Sequence, residues 1–145
     1  MTYGSVSFLF MGDANADAET RIANSGTNLQ ADILKVGHHG SATSSSSAFL
    51  SKVHPKSRII EVGTGNSYGH PTSATLDRLA QVGSAVYRTD LNGDVTVTTD
   101  GTTYDVKTGQ ASSPPIAGTV KTVTTQQTVS TQSSTGVVCD CSSNR

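Results

Sequence analysis

Over residues 4–107, short apolar runs alternate with stretches whose apolar residues fall three or four apart, and glycine or proline separates the two kinds of segment. A short unbroken apolar run suits a buried strand, whereas the wider spacing suits a helix that buries one stripe. Residues 6–11 predict a strand that stops at Gly12. Asn15 then has the side chain to cap a helix reaching about residue 24, with Ala18 and Ile22 four apart on one face and Gly26 past its end. Residues 31–36, 58–62 and 85–88 predict three further strands. Serines 44–47 suit the cap of a short helix carrying Phe49, Leu50 and Val53, which His54-Pro55 stops. A polar loop over 63–70 leads to Pro71 at a helix start, followed by Leu76, Leu79 and Ala80 at core spacing and closed by Gly83. Residues 94–98 and 103–107 pair as a hairpin about Asp100-Gly101. This alternation predicts an α/β layer. There is no internal repeat. The chain enters its first strand at once, so the sheet is expected to be one-sided, with its second face open.

Beyond residue 107 the pattern vanishes. Residues 108–138 hold one charged side chain, Lys121, no aromatic, Pro114-Pro115, and many Ser, Thr and Gln. Such a segment buries too little to offset the cost of ordering its backbone, so an extended or disordered Ser/Thr-rich linker is expected; extra strands are the competing reading, because Thr and Val favour them. The linker contributes to a hydrophobic content of 34% in a chain of 145 residues without tryptophan, against about 45–50% apolar for an ordinary globular domain. What remains, 1–107, is one modest domain. Residues 139–145 read as the opening of a cysteine-containing module, and Cys139 and Cys141 alone can neither staple the main body nor complete a four-ligand zinc site. The formal net charge of -1 argues against broad electrostatic wrapping of nucleic acid and against a polybasic membrane anchor, so a phosphate-bearing substrate must be held locally. No run approaches the roughly 18–20 apolar residues of a membrane-spanning helix, and no membrane contact is expected from this segment itself.

The candidate chemistry follows the predicted strand ends, where open α/β sheets place their sites. Asp13 follows the first strand, His38 and His39 the second, and His70 lies in the loop after the third. A carboxylate and neutral imidazoles on rigid strand ends suit a divalent cation such as zinc. Simpler roles compete: Asp13 also suits a helix cap, the double histidine a polar turn, and His70 a helix entry. His54 reads as ordinary surface. The hydroxyls and amides of residues 41–47 suit either a solvated loop or a phosphate oxygen.

Gly12-Asp13-Ala14 after an apolar strand, Asp32-Ile33-Leu34-Lys35-Val36-Gly37-His38-His39-Gly40-Ser41 with Thr43 and the serines, Asn66-Ser67-Tyr68-Gly69-His70-Pro71, and Val86-Tyr87-Arg88-Thr89-Asp90 with Gly93 together resemble the second half of the metallo-β-lactamase-fold hydrolase domain of the ComEC competence type. The likeness covers about residues 3–99. It implies half of a four-layer αββα sandwich, a site for two zinc or manganese ions, and phosphodiester hydrolysis linked to DNA uptake, with single-stranded DNA a candidate substrate. By position, Asp13 matches the acidic ligand and the His38-His39 pair the later histidine motif, with the ligating imidazole left open. Asn66 and His70 match the catalytic loop near the substrate phosphate, with Ser41 and Thr43 at its flank.

Domains of this kind carry a His-x-(His/Asp)-x-Asp-His element ahead of the matching region, and no such string occurs here. The resemblance therefore implies a fragment truncated before Met1, with poor folding in isolation, little metal retention, and an absent N-terminal half as the partner that restores the site. From another class, the chain reads as a non-catalytic secreted or surface module, a degenerate domain on a Ser/Thr-rich stalk. The linker favours an extracellular or cell-surface location, and membership of a competence channel would make the chain membrane-associated.

Overall fold

The computed structural model describes residues 1–83, 85–110 and 137–141. Thr2–Tyr3 (β1) and Val6–Phe10 (β2) pair antiparallel. Helix Ala16–Ala23 (α1), strand Ile33–Lys35 (β3), a tight turn Gly37–Gly40 and helix Ser47–Val53 (α2) follow. Then come Ser57–Ile60 (β4), helix Ser73–Gln81 (α3), Ala85–Arg88 (β5) and the short helix Thr89–Asn92 (α4). Strands β2 to β5 run parallel and lie in chain order, so one sheet reads β1-β2-β3-β4-β5. Parallel neighbours need a crossover, and α1, α2 and α3 supply one for each step.

The two-residue period of the strands sorts their side chains between two cores. Leu9, Leu34, Ile60 and Val86 face the helices and meet Ile22 of α1, Phe49, Leu50 and Val53 of α2, and Leu76 and Leu79 of α3. Arg58, fully buried on the same side, donates to the carbonyl of Leu79 at 2.8 Å, and burial pushes its pKa down to about 10. Val6, Phe8, Ile33 and Ile59 face the other way, against Val95 and Val97 of Val95–Thr99 (β6) and Tyr104 and Val106 of Tyr104–Thr108 (β7). The β6–β7 turn is held by Asp100, whose Oδ1 accepts from the amides of Thr102 and Thr103 at 2.8 and 2.7 Å. Val137–Cys141 (β8) pairs with the other edge of β6, giving a second sheet in the order β7-β6-β8.

The α/β class is as expected, but the open second face is not. Val6, Phe8, Ile33 and Ile59 are each no more than 3% exposed. The closing hairpin folds back across the parallel sheet, and its alternating valines fill the face that the sequence reading leaves bare. The expected linker, 108–138, overlaps strands at both ends, because Thr108 closes β7 and Val137 and Val138 open β8. Residues 111–136 of that linker, and 142–145 of the expected cysteine module, lie outside the described residues. Among the described residues no helix is long and apolar enough to cross a membrane.

Asp32, just ahead of β3, fastens three strands. Its Oδ2 accepts from the Ser7 amide and hydroxyl, both at 2.9 Å, and its carbonyl accepts from the amides of Lys56 and Ser57. The Lys56 ammonium lies 2.7 Å from its Oδ1. Burial alone would raise the Asp32 pKa, but the bonds from Lys56 and Ser7 outweigh it and hold the carboxyl below its ordinary value. A carboxyl lowered in the folded state stabilises the fold above its unfolded pKa and loses that contribution as pH falls through the folded one. Asp32→Asn is therefore expected to cost about 2 kcal/mol at pH 7 in urea denaturation, with the gap to wild type closing below about pH 4. A gap unchanged between pH 7 and 3 would show that the charge contributes nothing.

Candidate functional site

Because β2, β3 and β4 are parallel, the segments leaving their carboxyl ends emerge on one rim. The segment after β2 is fixed to the segment after β3 by backbone bonds: the His38 amide donates to Gly12 O and the Ala16 amide to Thr43 O, both at 2.8 Å. Gly37 lies against this junction, where a Cβ would meet Ala14 O at 3.2 Å. Asn15, not Asp13, caps α1, its side chain accepting from the Ala18 amide at 3.0 Å. The Asp13 carboxylate is therefore not spent as a cap, and its side chain is 76% exposed.

His38 and His39 both adopt left-handed backbone, with φ of 48° and 51°. This conformation costs a non-glycine residue roughly 1–2 kcal/mol. It also gives the neighbouring rings separate partners. His39 turns to Asp13, with Nε2 3.9 Å from Oδ1, while its Nδ1 lies 2.7 Å from Glu61 O. A carbonyl only accepts, so in the neutral ring Nδ1 carries the proton and the Nε2 lone pair faces the carboxylate. His38 packs edge-on against His70, the ring centroids 5.7 Å apart. The Nδ1 atoms of both His38 and His70 are buried without a hydrogen-bond partner.

The loop carrying His70 is braced from within by Asn66. Its amide donates to Gly63 O at 3.1 Å and to His70 O at 2.7 Å, and its oxygen accepts from the His70 amide at 3.1 Å. Both amide hydrogens of Asn66 thus stay inside the loop. Pro71 does not open the helix as expected; Thr72 caps α3, and Pro71 instead packs on Gly40. A Cβ on Gly40, whose φ is +82°, would meet the Pro71 Cβ at 2.6 Å. The Thr72 amide donates to Gly40 O at 3.0 Å, and the Thr75 hydroxyl to Ser41 O at 2.8 Å. These contacts seat His70 on His38.

Ser41 and Thr43 bond each other through their hydroxyls at 3.1 Å, with Ser41 buried and Thr43 exposed. The serine run behind them is held by two residues that the sequence reading passes over. Glu19, fully buried on α1, accepts from the amides of Ser45 and Ser46 at the start of α2. Arg78 of α3 donates to the carbonyls of Ala42, Ser44 and Ser45. An internal carboxylate thus takes the amides that a phosphate would use at a helix start. A carboxylate three residues before Ile22, on the apolar stripe of α1, is the signal that could have found Glu19; Arg78 has no comparable signal.

Asp13 and His39 stand close enough to share one ion, since metal–nitrogen and metal–oxygen bonds of about 2.0–2.2 Å together span roughly their separation. Two donors fall short of a complete first shell. Among the described residues no group of three or more His, Cys, Asp or Glu is arranged to hold a metal.

No protein-family model matches the chain, and no solved structure matches it. Curated proteins do. The chain is 39% identical over 95 residues to ComE operon protein 3 of Bacillus subtilis (strain 168), covering 66% of this chain and 12% of that protein. It is 40% identical over 91 residues to Competence protein ComA of Neisseria gonorrhoeae, covering 62% and 13%. To Recombination protein 2 of Haemophilus influenzae it is 42% identical over 94 residues, covering 65% and 12%. These homologues are competence proteins of the ComEC type, and the chain spans about an eighth of their length.

The lock between the two histidine loops is tested at Gly40. Gly40→Ala is expected to lower stability by about 1–3 kcal/mol, through its left-handed backbone and the clash with Pro71, and to shift the ring resonances of His38 and His70. Unchanged stability and spectra would show that the loops are not joined there.

Proposed function

We propose that this chain forms the second half of a metal-dependent hydrolase of the metallo-β-lactamase fold, ComEC-like, acting on phosphodiesters such as single-stranded DNA in a competence-related role. The observation that carries the reading is the facing pair of Asp13 and His39 on the rim of the parallel sheet, with Nδ1 of His39 anchored to Glu61 O. The layering of helices, sheet and second sheet supports three of the four layers of an αββα sandwich, and the similarity to competence proteins supports the biological setting.

In this reading Asp13 and His39 would hold zinc or manganese together with donors from a segment bearing the His-x-(His/Asp)-x-Asp-His element. Such an ion, when bound, supplies Lewis-acid polarisation of a phosphoryl oxygen and a hydroxide nucleophile near neutral pH. Asp13 contributes the negative charge that the dication requires, and His39 contributes a nitrogen whose tautomer Glu61 fixes. His70, with Nδ1 buried, presents Nε2 to the substrate and hands a proton to the leaving oxygen. Asn66 acts through His70 by holding its backbone on both sides and is a positioning residue.

The test is a protein that joins this chain to a segment carrying the missing element. It is expected to cleave single-stranded DNA with zinc or manganese, with the rate falling at least about 100-fold in Asp13→Ala and His39→Ala. Undiminished cleavage by His39→Ala would remove that residue from the site, and a joined protein that binds metal without cleaving would favour the non-catalytic module. Residues 1–145 alone are expected to bind these metals weakly; tight stoichiometric binding by calorimetry would overturn a site shared between two segments.

A further inference from the structure

Tyr68 is 81% exposed, more than any other large apolar side chain among the described residues. It sits on the loop that Asn66 braces, and one face of its ring lies on His70, the centroids 6.0 Å apart and the planes 25° from parallel. His70 in turn abuts His38, the neighbour of His39. A file of three rings, His38, His70 and Tyr68, therefore runs from the residue next to His39 to an aromatic whose side chain is largely open to solvent. The 63–70 loop holds no lysine or arginine, and the nearby cations Lys35 and Arg88 are paired with Glu61 and Asp90. What the loop offers a ligand is the exposed Tyr68 ring rather than a cationic side chain of its own.

We propose that Tyr68 is a stacking platform for an unpaired nucleobase of single-stranded DNA, setting which phosphodiester lies against His70 and the Asp13–His39 pair. The inference rests on the hydrolase reading and adds what selects the strand. An aromatic ring binds a base through its π-face whatever the base, whereas bases within a duplex already stack on their neighbours and leave no face free. With a net charge of -1 on the chain, stacking takes over holding work that a basic groove does elsewhere.

The chain has no tryptophan, so Tyr68→Trp introduces a single indole at the platform. Its emission is expected to fall on titration of residues 1–145 with a thymidine oligonucleotide, and to stay constant with an abasic strand or a duplex of equal length. Tyr68→Phe is expected to keep wild-type affinity and Tyr68→Ala to lose roughly 5- to 150-fold. Tyr3→Trp, at the opposite end of β2, is expected to show no quenching. Equal quenching by the abasic strand or the duplex, wild-type affinity in Tyr68→Ala, or no binding of the oligonucleotide by the chain would each overturn the proposal. The titration needs neither metal nor cleavage, so its failure is distinct from failure of the joined protein to hydrolyse DNA.

Discussion

At the lip of the sheet Gly40 lies so close to Pro71 that no side chain fits between them, and the arrangement of the rim depends on that contact. It brings the loop after β4 onto the turn after β3, where the Thr72 amide and Thr75 hydroxyl add bonds to Gly40 O and Ser41 O. Seating His70 against His38 leaves His39 as the imidazole that faces Asp13. The strained backbone of the two histidines is held from three sides: by Gly12 O, by Glu61 O and by the α3 entry. Strain of this kind persists where surrounding contacts over-determine it, and those contacts converge on the residues read as functional.

Behind the rim, charge is spent inward. Glu19 and Arg78 meet the serine run from opposite sides, one accepting from its amides and the other donating to its carbonyls. A buried charge persists when it is hydrogen-bonded, as Glu19 is, and with the half-buried Arg78 it orders a loop that has little apolar surface of its own. The consequence for function is a division of labour. The serines give shape to the rim, and the amides of Ser45 and Ser46 at the start of α2 are taken by Glu19.

The second sheet has a comparable role for the fold as a whole. Packing β6 and β7 over Val6, Phe8, Ile33 and Ile59 gives the parallel sheet a covered face on each side, as parallel strands require. Only then do the strand ends become rigid supports. Asp32, bonded to Ser7 and Lys56, fixes the opposite end of the same strands.

Local chemistry was legible along the chain. Strands β2 to β7, helices α1 to α3, the Asn15 cap and the placement of Asp13, His38, His39 and His70 beyond strand ends follow from side-chain period and from the few residues able to start or stop an element, whereas β1, α4 and β8 carried no such signal. Tertiary structure decided what depends on groups far apart in sequence. The sequence offered Asn15 as the α1 cap but left Asp13 as a competing one, and only the packed chain left the carboxylate of Asp13 unused. Adjacent histidines look alike in sequence, and their left-handed turn, supported by Gly12 and Glu61 carbonyls, separated their partners. The serine run had donors enough for a phosphate, yet a glutamate 26 residues earlier took them. Backbone carbonyls and the direction of a folding-back hairpin carry no side-chain signature, so their effects are visible only once the distant segments meet.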